Sequence, residues 1–303
     1  MERKLLFVFH PRAGKAQIRG HLCEILDTFA QGGCEITAHP TQRAHDAAEV
    51  IAARAPEYDL VVVSGGDGTL HEAVNGMMRI PAEKRPPLGY IPAGTVNDFA
   101  ASLHISRNMR TAAADIMQGN PFACDIGCFC GEHFSYVAAF GAFTDVSYDT
   151  PQQTKNMLGQ LAYILEGIKR LPALKSYVVH IEHDGGSIDG DFLFGMVANT
   201  TSVAGIHTGN RFDVQLDDGL FEVVLIKRPA NLAALNALIG DLMVQNIRSE
   251  RFCTFKTSHL TLTSSEPIPW TLDGEFGGAP SEAEITICPR AITFLVGSGK
   301  EEA

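Results

Sequence analysis

Ser64-Gly65-Gly66-Asp67-Gly68-Thr69 constrains this chain more than any other segment, because it joins an apolar run, Asp59 to Val63, to a helix-period stretch from Leu70 to Met78. A short apolar run followed by glycines and a helical pattern reads as a buried strand turning into a helix. Glycines at such a turn let the main chain come close to phosphate oxygens, and the helix N-terminus adds unpaired N–H donors and a favourable dipole. A carboxylate at Asp67 would repel bare phosphate. It makes sense in a phosphate cradle when a hard cation such as magnesium stands between the two. Taken without its flanks, Gly-Asp-Gly also suits an ordinary tight turn with an exposed Asp.

The surrounding pattern supports the cradle. Strand-like runs at Lys4 to Phe9, near Ile36, at Leu60 to Val63, at Leu88 to Ile91 and at Phe122 to Ile126 alternate with helical stretches at Ala16 to Ala30, His45 to Ala55, Val96 to Leu103 and Met109 to Gln118. That alternation predicts a parallel sheet with helices on its faces. After Asp125 the period changes to two. Alternating segments at Phe134 to Phe140, Tyr177 to His183, Phe192 to Ala198, Phe221 to Ile226, Phe255 to Leu262 and Ala283 to Cys288 predict an antiparallel sheet or sandwich. Asp184-Gly185-Gly186 is a hairpin signal between two of them. Helical stretches at Gln153 to Leu171 and Pro229 to Gln245 interrupt this half. A domain boundary is expected near Asp125, with a ligand-binding cleft between the halves.

Pro92-Ala93-Gly94-Thr95-Val96-Asn97-Asp98-Phe99-Ala100 follows the strand at Leu88 to Ile91 as the first loop follows its own strand. Gly94 and Thr95 can start a helix that carries Asn97 and Asp98 in its first turn, so two strand-end loops could share one nucleotide. An ordinary helix cap is the plainer account of this segment alone. The formal net charge of −11 argues against nucleic acid as a partner. The six residues between Lys4 and Pro11 are too few for a signal-peptide core, and no apolar run reaches the length of a membrane span. Seven irregularly spaced cysteines suit reduced thiols, so a cytoplasmic protein with at most peripheral membrane contact is expected. Cys128, Cys130 and His133 lack a fourth partner at metal-binding spacing.

Together these segments resemble the diacylglycerol kinase catalytic domain shared by bacterial lipid kinases and sphingosine kinases, over nearly the whole chain. The family's Asn-Pro-x-x-Gly-Lys hallmark stands here as His10-Pro11-Arg12-Ala13-Gly14-Lys15, with His in place of Asn. Thr41, with Asp46-Ala47 beyond it, looks like its nucleotide-contacting threonine region, and Gly159-Gln160-Leu161-Ala162-Tyr163 like a helix of its second domain. The resemblance implies a Rossmann-like α/β nucleotide-binding domain of the phosphofructokinase and NAD kinase kind over residues 1–125, completed by residues 290–303. It implies a β-rich antiparallel sandwich over residues 126–289, and a final strand, Ala291 to Val296, that returns to the first domain.

The activity implied is magnesium-dependent transfer of the ATP γ-phosphate to a lipid hydroxyl, diacylglycerol first among acceptors. Candidate nucleotide-binding residues are His10, Gly14, Lys15, Thr41, Gly65, Gly66, Asp67, Gly68, Thr69, Leu70, His71, Glu72, Gly94, Thr95, Asn97 and Asp98. Lys169 or Arg170 is a second candidate counter-charge for the triphosphate. A lipid hydroxyl attacks better when a carboxylate accepts its proton, and Trp270-Thr271-Leu272-Asp273-Gly274-Glu275 presents two. By resemblance, Asp273 and Glu275 contain that base, beside Asp67 in catalysis, though an acidic hairpin tip would look alike. Also by resemblance, a structural magnesium takes the Asp218 side chain and the carbonyls of Gln215 and Leu220, while Asp67, Asp98 and Asp125 reach a catalytic magnesium through water. Expected partners are a lipid at the inner face of the membrane, contacted transiently, with a homodimer left open. NAD kinase shares the Gly-Gly-Asp-Gly-Thr loop and is the rival enzyme. A catalytically silent nucleotide- or lipid-binding regulator is the rival of another class, and the loop lacks the spaced glycines of a dehydrogenase.

Overall fold

The structure is a computed structural model that describes residues 2–94, 97–141, 175–200, 202–203, 206–207, 214–244 and 246–297. The chain divides into two compact units. Unit 1 comprises Met1–Ile126, His133–Ser135 and Pro289–Ala303, and unit 2 comprises Gly127–Glu132 and Tyr136–Cys288.

In unit 1 the order is β1 (Arg3–Phe9), α1 (Ala13–Ala16), α2 (Ile18–Gln31), β2 (Cys34–Pro40), α3 (Asp46–Arg54), β3 (Leu60–Gly65), α4 (Asp67–Met78), β4 (Leu88–Pro92), α5 (Asp98–Ser102), α6 (Met109–Gln118) and the first part of β5 (Asn120–Phe129). Strands β2, β1, β3 and β4 lie side by side in that order, all parallel. The end of the last strand, β17 (Glu282–Val296), extends the same sheet by pairing Phe294 and Leu295 in parallel with Leu88 and Gly89 of β4. Alternate residues of β1 and β3 serve opposite faces. Leu5, Phe7, Leu60 and Val62 pack with Ile25 and Phe29 of α2 and Ala113 and Ile116 of α6, while α3 and α4 pack together and against β1 and β3. The strands are therefore buried on both faces, which is why they read as unbroken apolar runs. The helix expected from Ala16 to Ala30 is α2, which starts two residues later because Ala16, the last residue of α1, takes a left-handed φ of 60°.

Unit 2 is built of antiparallel strands. After β5 and β6 (Glu132–Phe134), whose last two residues belong to unit 1, come β7 (Val137–Gly141), β8 (Tyr177–His183), β9 (Gly186–Ala198), β10 (Ser202–Val203), β11 (Ile206–His207), β12 (Phe221–Lys227), α7 (Leu232–Met243), β13 (Phe252–Thr257), β14 (His259–Ser264), β15 (Trp270–Leu272) and β16 (Glu275–Phe276). The long strand β9 pairs its first half with β8 and its second half with β7 and β12, and so belongs to two sheet regions. Phe194, Met196, Val224 and Ile226 pack under Leu235, Leu238 and Leu242 of α7. Elsewhere Trp270 meets Phe140 and Phe129, with ring centroids 4.8 and 5.0 Å apart.

Two segments expected as single strands are broken. Phe134 to Phe140 divides into β6 and β7 at Ser135 and Tyr136. Phe255 to Leu262 divides into β13 and β14 at Ser258, whose N–H and hydroxyl both donate to Asp184, at 2.6 and 2.8 Å. These bonds, with a third from Thr257, hold the Asp184 carboxyl down at about 2. Conversely, Ala283 to Cys288 and Ala291 to Val296 form one strand, β17. The expected helix from Gln153 to Leu171, with Gly159 to Tyr163 and Lys169 or Arg170 on it, lies outside the described residues.

Candidate active site

The glycine loop of unit 1 sits where the sequence places it, between β3 and α4, with Gly66 as the extended residue before the helix. Its neighbour is the loop after β4. A Cβ built on Gly94 would lie 2.6 Å from the Gly66 Cα and 2.6 Å from Asn97 Oδ1, so neither contact tolerates a side chain. A Cβ on Gly14 would overlap the Ala93 carbonyl oxygen, which brings the loop after β1 against the same segment. Three strand ends thus meet through glycines, as parallel strands carry their loops to one edge.

Asn97 locks the second loop. Its side chain accepts from Gly94 N at 3.0 Å and donates to the Gly94 carbonyl at 2.8 Å. The residue takes a left-handed φ of 55°, a conformation that Asn tolerates better than most residues. That turn aims its main-chain N–H at Asp67 Oδ2, 3.0 Å away. The buried Tyr90 hydroxyl lies 3.1 Å from the Gly65 carbonyl and 3.3 Å from Asn97 Oδ1, and burial followed by the charge on Asp67 pushes its phenol well up. Burial also raises the Asp98 carboxyl, against the pull of Arg107.

Beside these loops, a cavity of about 590 Å³ gathers His10, Thr41, Gly68, Thr69 and Glu72, five of the expected nucleotide residues. His10 Nδ1 and Thr41 Oγ1 share a hydrogen bond at 3.0 Å, so the residue that replaces the family Asn is tied to the expected threonine. Arg12, Arg19 and Arg43 also line the cavity and supply positive charge that the sequence reading overlooked. Arg12 lies inside the His10 to Lys15 hallmark and Arg43 two residues beyond Thr41, which was the available signal. Other candidates have different surroundings. Glu72 accepts the N–H groups of His45 and Ala47, at 2.8 and 3.1 Å, and so caps the start of α3. Leu70 and His71 are buried in α4 and do not line the cavity. Asp125 is fully buried and accepts the Arg290 N–H at 2.6 Å. Thr95 and the Lys15 side chain lie outside the described residues.

In unit 2, Asp273 and Gly274 form the two-residue turn between β15 and β16, both with positive φ, 51° and 89°. This is the twist that suits a tight hairpin. Asp273 is buried, and its Oδ1 accepts from Tyr136 N at 3.0 Å and Val137 N at 3.1 Å. Those donors come from the break between β6 and β7, so the interruption exposes two amides that grip the carboxylate. Glu275 is exposed at the same hairpin.

The loop proposed for a structural magnesium holds other partners. Asp218 Oδ1 accepts the Leu220 N–H at 3.0 Å, and Oδ2 lies 3.3 Å from Lys256 Nζ. Nζ is also 3.0 Å from Oε1 of the fully buried Glu222. Magnesium needs a near-octahedral shell of oxygens, and an ammonium on the same carboxylate repels it, so Gln215, Asp218 and Leu220 do not fit a resident metal here. Among the described residues no three His, Cys, Asp or Glu side chains gather closely enough to hold a metal ion directly.

The family model for the diacylglycerol kinase catalytic domain matches residues 4–129, and that for the YegS C-terminal NAD kinase beta sandwich-like domain matches residues 139–296. The diacylglycerol kinase of Bacillus subtilis (strain 168) is 38% identical over 283 residues, covering 91% of each chain. This chain belongs to the diacylglycerol kinase family. The diacylglycerol kinase of Staphylococcus carnosus (strain TM300) is 35% identical over 284 residues, 92% of this chain and 90% of that one. The crystal structure of a diacylglycerol kinase from Bacillus anthracis str. Sterne shares the fold with a TM-score of 0.75 at 22% identity, covering 98% of this chain and 97% of that one. A further crystal structure from that organism reaches a TM-score of 0.84 at 24% identity, over 98% and 96% of the two chains. Membership in the diacylglycerol kinase family makes this a kinase of a lipid kinase family. No described helix is long and apolar enough to cross a membrane.

Proposed function

We propose that this protein transfers the γ-phosphoryl group of ATP to the free hydroxyl of diacylglycerol, giving phosphatidic acid, and that it requires magnesium. The observation that carries this reading is the meeting of the Gly66 and Gly94 loops around Asp67, where the absence of side chains leaves main chain to face phosphate oxygens. The names of the relatives supply the acceptor. Arg12 and Arg19, lining the adjoining cavity, add positive charge toward a nucleotide, while His10 and Thr41 offer it hydrogen-bonding groups.

Asp67, with Asp98 directly after Asn97 on the neighbouring segment, would hold magnesium through water, and the metal when bound supplies charge neutralisation for the phosphates. Asp273 takes the proton of the attacking hydroxyl, with Glu275 as the second carboxylate of the pair. As that proton leaves, the hydroxyl oxygen bonds to the γ-phosphorus, the bond to the β,γ-bridging oxygen breaks, and ADP departs. The two amides on Asp273 Oδ1 fix the carboxylate in place, so little reorganisation is needed when the proton arrives. Contact with the membrane would be peripheral and transient.

The test is incubation of the purified protein with labelled ATP, magnesium and a panel of acceptors in mixed micelles: diacylglycerol, a sphingoid base, a polyprenol, and NAD in solution. Label in phosphatidic acid, lost on chelation of magnesium, is the expected result. Label in NADP alone would replace the proposal with an NAD kinase. ATP binding without turnover of any acceptor would replace it with a regulator.

A further inference from the structure

Unit 2 contains a cluster that the kinase reaction does not use. Glu222 is fully buried on β12, and Lys256 stands directly opposite it on β13 in the antiparallel register. Lys256 Nζ reaches back across the pair to Glu222 Oε1 at 3.0 Å and outward to Asp218 Oδ2 at 3.3 Å. The other Asp218 oxygen closes its own turn on the Leu220 N–H. One ammonium therefore ties together the loop before β12, β12 itself and β13.

We propose that the Lys256 ammonium is the resident cation of the Asp218 loop, doing there what a bound divalent metal would do and leaving the loop independent of metal. Two features point the same way. The lysine comes from a neighbouring strand held by six consecutive residue pairings, Phe221 to Ile226 against Thr257 to Phe252, so its charge is delivered by the sheet and not captured from solvent. Its second partner is buried, so removal of the ammonium would strand a carboxylate away from water. An external cation could then approach only after Lys256 withdrew. The inference concerns unit 2 alone and does not depend on the identity of nucleotide or acceptor.

The experiment is thermal melting of the nucleotide-free protein in EDTA and in millimolar magnesium, for the wild type, Asp218→Asn and Lys256→Met. The wild type and Asp218→Asn are expected to differ between the two buffers by the same amount. Lys256→Met is expected to melt about 10 °C below the wild type in EDTA, and to regain part of that loss in magnesium, because two carboxylates then lack their cation. A magnesium-dependent gain in the wild type that Asp218→Asn abolishes would overturn the proposal, as would a Lys256→Met protein that melts with the wild type in EDTA. Should Lys256→Met fail to fold, elemental analysis of the wild type after dialysis against magnesium decides alone. No magnesium beyond that held by Asp218→Asn supports the built-in ammonium, and one extra equivalent refutes it.

Discussion

Asp67 and Asp273 are both held by main-chain amides, yet they reach that state by different routes. Asp67 receives the N–H of Asn97 on the next strand-end loop, where a left-handed residue and two facing glycines bring the loops together. Asp273 receives those of Tyr136 and Val137, residues 137 and 136 positions away in sequence at a gap between strands. The first grip is a product of close approach between loops that carry no side chains at Gly66 and Gly94. The second is a product of an interrupted ladder and immobilises a carboxylate. The proposed roles divide in the same way, with a ligand received beside Asp67 and a base fixed at Asp273.

Substitutions that keep the hydrogen-bonding shape but remove the charge test this contrast most sharply. Asp67→Asn retains an oxygen for the Asn97 N–H, so the loops should stay joined while turnover falls about 1000-fold, measured as kcat/KM with saturating lipid and an unchanged melting temperature. Asp273→Asn likewise keeps an acceptor for both amides and removes the proton acceptor, and kcat should fall about 100-fold with the KM for ATP unchanged. Asp273→Ala should lose as much activity and also about 2 kcal/mol of stability, because two amides at a buried site lose their partner. If Asp273→Ala were as stable as Asp273→Asn, the amides would have found another acceptor and the immobilised-base reading would fail.

The contrast also explains what could be read in advance. The loop at Ser64 to Thr69 is local: strand, glycines and helix follow one another, so its position on β3 and α4 was plain in the residue order. Parallel strands buried on both faces left clear apolar runs for the same reason. The amides at Tyr136 and Val137 were invisible, because Phe134 to Phe140 alternates as one strand would and nothing in its pattern marks the interruption. Ser258 hid in the same way inside Phe255 to Leu262, since the Asp184 carboxylate that fixes the break lies 74 residues away. Lys256 was equally silent. A lone lysine in an alternating strand looks solvated until β13 sets it opposite a buried Glu222.

Glu222 extends the comparison to a carboxylate facing an ammonium. Burial pushes it up from 4.5 to about 7, outweighing the adjacent Lys256, whose own value is raised because its two carboxylate partners outweigh burial. The folded state therefore binds this proton more tightly than the unfolded chain. Its contribution to stability is complete below about 4.5 and is lost as pH rises through about 7, on the order of 3 kcal/mol in all. Glu222→Gln cannot titrate, so the gap in melting temperature between variant and wild type should move in the variant's favour by several degrees from pH 5 to pH 8. Parallel curves over that range would show that Glu222 stays ionised throughout.

The smallest effect separates two kinds of glycine. Gly94 faces main chain and the Asn97 side chain at 2.6 Å, whereas a Cβ on Gly274 would meet nothing within 4 Å. What Gly274 provides is its φ of 89°, which an L side chain adopts at a cost of about 1 to 2 kcal/mol. Gly274→Ala should therefore lower the melting temperature by only a few degrees. Because the turn keeps its length, the Asp273 carboxylate should stay on its two amides and the kcat should remain within about twofold of the wild type. A large loss of kcat with little loss of stability would mean that the hairpin's backbone geometry, and not the amides at the strand break, sets the position of Asp273.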